Sequence, residues 1–305
     1  MAVDFRELQY VMAIYEEGNI TRAAQRLHIS QPSLSKFLSV LEKEEDCPIF
    51  DRSTAPITLT EYGEKYVTNA QTILNLSEDL KLYKKELQDM EVGTLRVGVT
   101  VAQALLAIPR VLPLFSARYK GVRVSVTEGK SSELKDRLLR GKLDFIIMDG
   151  PTDLPQITNE LLKNERFYLV TPPGYLPEGP RTFEFALQHL TPDMMKFVLL
   201  HHDQRFRVMA DAIFSEYGIV PHVEHVTQMS TAAVKLCVAG MGMTFVSSLV
   251  KNNFLCEKEP DYYIMDGRFV NPVTAAYRKN GYLPRSARPF IDLFKECLSC
   301  PEIDK

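Results

Sequence analysis

Three basic side chains stand in an acid-free stretch near the N-terminus. Positions 19 to 41 contain Arg22, Arg26 and Lys36 but no Asp or Glu, and acidic residues resume at Glu42. The whole chain has a net charge of -3, so this stretch differs from its surroundings. A local positive face attracts the phosphates of nucleic acid even on an acidic protein. An ordinary helical hairpin with a solvated basic face explains the charges equally well.

Residues for other chemistries have weaker patterns. The chain has no nucleophile elbow or phosphate-binding loop, and Gly240-Met241-Gly242 lacks the last glycine of a dinucleotide fingerprint. His201, His202, His222 and His225 suggest a metal site. However, residues 222 and 225 would face opposite sides of a strand, because side chains alternate there. We therefore expect neither an enzyme nor a metal or cofactor site, although an α/β enzyme remains the first rival interpretation.

The cysteines and the N-terminus predict a cytoplasmic protein. The five cysteines are odd in number and widely spread, which is typical of reduced thiols. Only Cys297 and Cys300 have motif spacing, and without a second such pair they indicate incidental thiols rather than a zinc site. The chain begins without a basic, apolar leader, and it has no apolar run long enough to span a membrane. This also argues against an exported solute-binding protein, the second rival.

Capping residues and helical spacing predict that the basic stretch is a helix-turn-helix. The first helix contains an apolar repeat, the second is short, and the third buries the stripe Leu34, Leu38 and Leu41. A tight turn at 28–30 joins the second helix to the third. This geometry places a recognition helix in the major groove of DNA. The residues that mark the helix ends are Asp4 with Glu7, Gly18, Asn19 or Thr21, His28, Ser30 and Pro32.

A short β-wing and a long helix should follow. Residues 54–60 alternate apolar and polar side chains around Pro56, as a wing strand does. Next comes a heptad seam that is apolar except at Asn69, and its helix would be about 45 Å long. Such a stripe predicts pairing with a second chain, and the alternative is packing on its own C-terminal domain. The seam comprises Tyr62, Tyr66, Asn69, Ile73, Leu76, Leu80, Tyr83, Leu87 and Met90.

The remaining chain alternates short apolar strands with helices, which predicts an open α/β sheet. Ligands should then bind where strand C-termini face helix N-termini. The predicted strands are 95–99, 122–127, 145–148, 168–170, 197–200 and 243–246. The predicted helices begin at Val101, Ser131, Gln204 and Ser230.

The N-terminal stretch resembles the LysR-type transcriptional regulators, and a weaker resemblance covers essentially the whole chain. Among the residues that carry it are Phe5-Arg6-Glu7-Leu8, Gly18-Asn19-Ile20-Thr21-Arg22-Ala23-Ala24, Leu27-His28-Ile29-Ser30-Gln31-Pro32-Ser33-Leu34-Ser35, Ile49-Phe50-Asp51-Arg52, Leu59-Thr60-Glu61-Tyr62-Gly63 and Val238-Ala239-Gly240-Met241-Gly242-Met243.

The resemblance implies an α/β protein with three parts. They are an N-terminal winged helix-turn-helix, a long linker helix that dimerises, and a two-lobed effector domain like that of periplasmic binding proteins. The chain would act as a homodimer or homotetramer on an interrupted inverted repeat in double-stranded DNA, with a small-molecule effector and RNA polymerase as further partners and no membrane. The implied boundaries are 1–60 for DNA binding, 61–92 for the linker, and 93–305 for the effector domain, with lobe one at 94–164 and 268–305 and lobe two at 165–267.

The resemblance also implies positions for the contacts. Side chains such as Gln31 can read an adenine edge, whereas Lys36 suits phosphate or guanine. Many relatives have basic residues in the wing, but residues 53–57 have none, which puts wing contacts in doubt. The implied DNA contacts are Thr21, Arg22, Gln31, Pro32, Ser33, Ser35, Lys36 and Arg52.

By the same resemblance an effector lies between the lobes. Thr100 and Ser131 stand at predicted helix starts, where hydroxyls and amides could hold a carboxylate or simply cap the helix. Asp149 would repel an acidic ligand unless it were protonated or paired, which favours a neutral, zwitterionic or cationic effector. Peroxide-sensing relatives have a reactive cysteine around the position of His201 and His202, and this chain has none there. The implied effector contacts are Thr100, Ser131, Asp149, His202 and Gln228.

Overall fold

The chain is described by a computed structural model that covers residues 4–53, 56–88 and 93–299, with the backbone alone for 85–88. Contacts divide it into two compact units, one ending at Gln88 and one following it. The described helices include none that is long and apolar enough to cross a membrane. Predictions for Thr54, Ala55, Met90 and Cys300, and for the side chain of Leu87, lie outside the described residues.

The described part of the N-terminal unit contains four helices and a two-stranded hairpin. The helices α1 to α3 build a compact core with the start of α4. The strands β1 and β2 pair antiparallel, and β2 lies within the predicted wing segment 54–60 whereas β1 precedes it. The element bounds are α1 (Phe5–Glu17), α2 (Ile20–Arg26), α3 (Gln31–Glu44), β1 (Phe50–Asp51), β2 (Thr58–Leu59) and α4 (Glu61–Gln88).

Side-chain caps fix the starts of α2 and α3. The Asn19 carboxamide oxygen accepts hydrogen bonds from the backbone N–H groups of Thr21 and Arg22 at 2.8 and 3.0 Å. Asn19, not Thr21, is therefore the N-cap of α2. Ser30 caps α3 by accepting from the Ser33 N–H at 3.3 Å. The two caps fix the residues at which α2 and α3 begin. They therefore restrict the direction of α3 after the turn and the face that it presents to solvent.

The start of α4 lies unusually close to the segment before the wing. The Thr60 hydroxyl donates to the Pro48 carbonyl at 2.6 Å and accepts from the Gly63 N–H at 2.9 Å. A Cβ at Gly63 would lie 1.9 Å from the Ile49 carbonyl oxygen. Because no side chain tolerates such a contact, glycine is required here for the helix to reach the core.

The C-terminal unit is built on a mixed sheet with the strand order β10-β6-β11-β5-β3-β4, to which β9 adds on β6, and on a separate parallel pair, β7-β8. The strands are β3 (Gly93–Thr100), β4 (Val122–Gly129), β5 (Phe145–Asp149), β6 (Ile157–Thr171), β7 (Lys196–Leu200), β8 (His222–Thr227), β9 (Thr244–Ser247), β10 (Asp261–Ile264) and β11 (Val270–Arg278).

Helices flank these strands where the alternation predicts them. Those predicted at Val101, Ser131 and Ser230 begin there, and the one predicted at Gln204 begins one residue later. The helices are α5 (Val101–Leu106), α6 (Ile108–Arg118), α7 (Ser131–Leu139), α8 (Phe183–His189), α9 (Arg205–Tyr217), α10 (Ser230–Val238), α11 (Ser248–Asn253) and α12 (Ala287–Ser299), with a short 3-10 helix at Pro192–Met194.

The long strand β6 joins two parts of the sheet. Its first part pairs with β11, and its end pairs with β9 and β10. In this register Glu165 lies opposite Asn271. The larger apolar cluster joins Val97 of the predicted first lobe to Val234 and Val246 of the predicted second lobe. The lobe boundaries stay predictions, and β6 with β11 forms the bridge between the two parts.

Candidate functional sites

The N-terminal face of α3 presents polar side chains to solvent. Gln31, Ser33 and Lys36 are exposed, as is Pro32, while Ser35 is half-buried. The opposite face holds the buried leucines of the core. Within the described part of the chain, the Gln31 and Lys36 side chains have no hydrogen-bond or ion-pair partner, so they are available to a ligand.

Two of the cations in the acid-free stretch pair with α1. Arg26 contacts Glu16 at 2.5 Å and Glu17 at 3.3 Å. The Arg22 guanidinium donates to the Glu17 carbonyl and lies 4.0 Å from its carboxylate. The local charge is therefore lower than the sequence count suggests, because α1 brings acids from outside that stretch. Lys36 keeps the positive charge at the start of α3.

Arg52 is engaged within the chain. Its guanidinium donates to Glu42 at 2.5 Å. The same carboxylate accepts from the backbone N–H groups of Ile49 and Phe50 at 2.9 and 3.1 Å. This pair holds the first wing strand against α3. Since the Arg52 side chain remains partly exposed, its implied DNA contact stays a prediction.

The seam of α4 divides into two parts. Tyr62, Tyr66 and Ile73 are half-buried against the core of their own unit. By contrast, Leu80 is 68% exposed and Leu76 is 49% exposed. Asn69 and Tyr83 are also exposed. The second part of the seam is thus the apolar surface that remains for a partner, while the first part serves the fold of the unit.

Asp149, at the end of β5, accepts three hydrogen bonds from neutral donors. The Thr100 hydroxyl donates to Oδ2 at 3.0 Å. Gln103 Nε2 and Asn271 Nδ2 donate to Oδ1 at 3.2 and 3.0 Å. Thr100 stands at the N-cap position of α5, but its side chain makes no capping hydrogen bond there and binds Asp149 instead. All three donors are uncharged, so none of them forms an ion pair with Asp149.

Glu165 is a second carboxyl group beside Asp149, and it is 1% exposed. Asn271 Nδ2 also donates to Glu165 Oε2 at 3.2 Å. Burial, reinforced by the Asp149 charge, raises the pKa of Glu165 to about 7, while hydrogen bonds from Ser247 and Asn271 and the charge of Lys163 oppose this shift. Glu165 therefore changes its charge near neutral pH.

Arg205, the first residue of α9, completes this polar network. Its Nε–H donates to Asn271 Oδ1 at 3.3 Å. The side chain lies across Gly150, where a Cβ would approach Arg205 Nη1 to 2.6 Å and where φ is +81°. The positive φ favours glycine at position 150, and a larger residue there would displace the Arg205 side chain. Burial lowers the pKa of Arg205, and the charge of Asp149 opposes this effect.

The other implied effector residues do not join this network. Ser131 begins α7 and is half-buried, while His202 and Gln228 are exposed. The Gln228 carbonyl accepts a hydrogen bond from Gln204 Nε2 at 2.9 Å. In the described ranges, no hydrogen bond links the side chains of Ser131, His202 or Gln228 to Asp149.

Several members of the network were not predicted from the sequence. Arg205 follows the predicted helix start at Gln204, so its position after a strand is a signal that could have identified it. Gln103 carries the same signal, because it lies about one turn beyond Thr100 on the helix that follows β3. Glu165 and Asn271 carry no such signal, because only the pairing of β6 with β11 brings them together.

The described cysteines include one deeply buried thiol, Cys237. Burial raises the pKa of the Cys237 thiol to about 12, which disfavours the reactive thiolate. Among residues 4–53, 56–88 and 93–299, no group of three or more His, Cys, Asp or Glu side chains is arranged to hold a metal ion.

Family models match both units of the chain. The model described as "Bacterial regulatory helix-turn-helix protein, lysR family" matches residues 5–64, and "LysR substrate binding domain" matches residues 88–299. The chain belongs to the LysR family. The predicted family and fold class are therefore confirmed, and this LysR-type transcriptional regulator combines a DNA-binding helix-turn-helix with an effector-binding domain. The family assignment favours a regulator over the enzyme and solute-binding rivals.

Known proteins resemble this regulator over most of its length. The uncharacterised HTH-type transcriptional regulator YcgK of Bacillus subtilis is 26% identical over 97% of this chain and 95% of its own. The Hca operon transcriptional activator HcaR of Escherichia coli is 26% identical over 82% and 83%.

Solved structures share the fold. A full-length variant of OxyR from Pseudomonas aeruginosa has a TM-score of 0.69 at 21% identity and covers 97% of this chain and 96% of its own. CbnR complexed with its target DNA has a TM-score of 0.61 at 23% identity and covers 97% and 100%.

Proposed function

We propose that this LysR-type regulator reads DNA with the exposed N-terminal face of α3. The observation that carries this proposal is that Gln31 and Lys36 stand exposed and unpaired beside the turn, on a helix whose other face is fixed in the core. Gln31 would contact an adenine edge and Lys36 a phosphate. Thr21, Ser33 and Ser35 would add polar contacts, whereas Arg22 and Arg52 would first have to leave or share their carboxylate partners.

We further propose that the regulator is at least a dimer. Leu76, Leu80 and Tyr83 form an exposed apolar stripe on α4, and such a stripe is stable in water when a second copy covers it. Two copies present two recognition helices, which suits an interrupted inverted repeat. CbnR, whose fold this chain shares, has been solved with its target DNA.

A small molecule near Asp149 would modulate this activity in the cytoplasm. Supporting this, Thr100 and Asp149 lie at the ends of adjacent parallel strands, where open α/β sheets bind ligands. The network also connects to β6 and β11, the strands that bridge the two parts of the domain. Occupancy of this site would shift the arrangement of these parts and so change how RNA polymerase responds to the DNA-bound regulator.

Selection of genomic DNA fragments by the purified full-length protein tests the proposed function. Enriched fragments should share an interrupted inverted repeat, and their affinity should fall as salt rises, because phosphate contacts release counterions. Enrichment without any shared sequence would contradict sequence-specific regulation. A reporter gene placed behind an enriched fragment then shows whether transcription depends on the protein.

A further inference from the structure

The Asn271 amide holds two opposite charges at a fixed separation. Its Nδ2 donates to Asp149 Oδ1 at 3.0 Å, and its Oδ1 accepts from Arg205 Nε at 3.3 Å. Asn271 is fully buried, so this orientation is supported on all sides. Asp149 and Arg205 do not form a direct ion pair in the described structure. The amide instead bridges the carboxylate and the guanidinium, and it keeps them side by side without a direct contact between the two charges.

Both charged groups keep hydrogen-bonding capacity and contact solvent. Arg205 is half-exposed and uses only Nε, so its two terminal nitrogens have no partner among the described residues. Asp149 is also half-exposed, and among residues 4–53, 56–88 and 93–299 its Oδ2 accepts only from the Thr100 hydroxyl. A carboxylate oxygen accepts two hydrogen bonds, so Oδ2 can accept one more. The site therefore offers donors and an acceptor next to each other.

A third polar group is unsatisfied beside them. Gln103 is completely buried and donates to Asp149 through Nε2, but its Oε1 has no partner in the described structure. Buried acceptors are normally paired with a protein donor or with ordered water, so an unpaired one leaves hydrogen-bonding capacity inside the network. An ammonium group carries three donors, and one of them suits the remaining acceptor position on Asp149 Oδ2.

The charges select among ligand classes. A simple carboxylate would be attracted by Arg205 but repelled by Asp149, and by Glu165 wherever that group is ionised. A simple amine would have the opposite difficulty with Arg205. A ligand with an ammonium and a carboxylate on one carbon offers a partner to each charge, and the Asn271 amide holds those two charges next to each other.

We infer that the effector is an α-amino acid, whose carboxylate binds the terminal nitrogens of Arg205 and whose ammonium group binds Asp149 Oδ2. This inference rests on the proposed function, because it places the amino acid in the effector site. Gly150 leaves room for the Arg205 side chain to lie against the backbone beside Asp149. Thr100 orients Asp149 for the ammonium group.

Binding of a defined panel to the full-length protein tests the inference. The probes are the twenty proteinogenic L-α-amino acids, each beside its des-amino acid and its decarboxylated amine. Thermal shift should identify at least one amino acid that stabilises the protein, and calorimetry should show both analogues binding at least about 10-fold more weakly, as expected for a lost charge-assisted hydrogen bond. Equal binding of an analogue, or stabilisation by none of the amino acids, would overturn the inference.

Variants then assign the two charges. Asp149→Asn and Arg205→Gln should each weaken binding of the stabilising amino acid at least about 10-fold. Asp153→Asn, in the loop after β5, and Arg207→Gln, two residues further along α9, make the same charge changes outside the network and should bind normally. Undiminished binding by Arg205→Gln would contradict the assignment. DNA binding, measured by gel shift on the same preparations, separates failure of this inference from failure of the proposed function.

Discussion

Replacing Glu165 by glutamine should make the stability of the protein less dependent on pH. Glu165 is buried in the network, and its pKa rises from the ordinary 4.5 to about 7 on folding. The protonated carboxyl is thus the form that the fold prefers. Its stabilising contribution is complete below pH 4.5, declines as pH rises, and is lost above about 7.

The magnitude follows from this change in pKa. A difference between 4.5 and about 7 corresponds to about 3 kcal/mol of stability lost across that interval. Solvent screening reduces this little, because the side chain is 1% exposed. Glutamine cannot ionise. As pH rises, the free energy of unfolding of Glu165→Gln should therefore increase relative to that of the wild type by up to this amount.

Chemical denaturation from pH 4 to 8, followed by circular dichroism, measures this difference. Glu178→Gln removes a carboxylate from an exposed loop and should follow the wild-type profile. Parallel profiles of unfolding free energy against pH for Glu165→Gln and the wild type would refute the reasoning. A wild type that becomes more stable relative to the variant as pH rises would also refute it. Either result would mean that Glu165 is solvated or paired more fully than its surroundings indicate.

Three further substitutions test other parts of the structure. Gly63→Ala should lower the free energy of unfolding by about 3 kcal/mol or more, because its Cβ would lie 1.9 Å from a carbonyl oxygen. The control is Gly93→Ala, whose Cβ meets no atom within 4 Å, and equal denaturation midpoints for the two variants would contradict the described packing. Leu80→Asp should leave the monomer folded, since the side chain is 68% exposed, but lower the mass seen by light scattering towards one chain; an unchanged mass would remove the seam from the dimer. Thr100→Val should keep DNA binding and lose the reporter response to effector, because the hydroxyl that orients Asp149 at 3.0 Å is gone; an unaltered response would place the effector elsewhere.

The helix-turn-helix could be predicted because its signals are local. Asn19, Ser30 and the leucine stripe of α3 act within a few residues of where they stand, and the structure places them as their types require. The pairing of Arg26 with Glu16 was not predictable in the same way, since it depends on how α1 crosses α2. Counting charges along the chain therefore overestimated the positive face.

The effector site was predicted only in part for the same reason. Thr100 and Asp149 follow strands, so the α/β pattern identifies them. Glu165 lies in the first part of β6, where polar and apolar residues do not alternate cleanly, and that part was not predicted as a strand. Its position opposite Asn271 depends on the long-range pairing of β6 with β11. No local pattern indicates that pairing.

Sequence preference at α3 tests the central claim most directly. The measurement is the affinity of wild type, Gln31→Ala and Gln25→Ala for a selected operator and for operators with single base changes, by fluorescence anisotropy at fixed salt. Gln25 is an exposed glutamine on α2 and serves as the matched control. Gln31→Ala should lose about 1 to 3 kcal/mol of binding energy and its preference at one position in each half-site, while Gln25→Ala keeps both. Wild-type affinity and preference in Gln31→Ala would contradict the claim that this face of α3 reads the DNA.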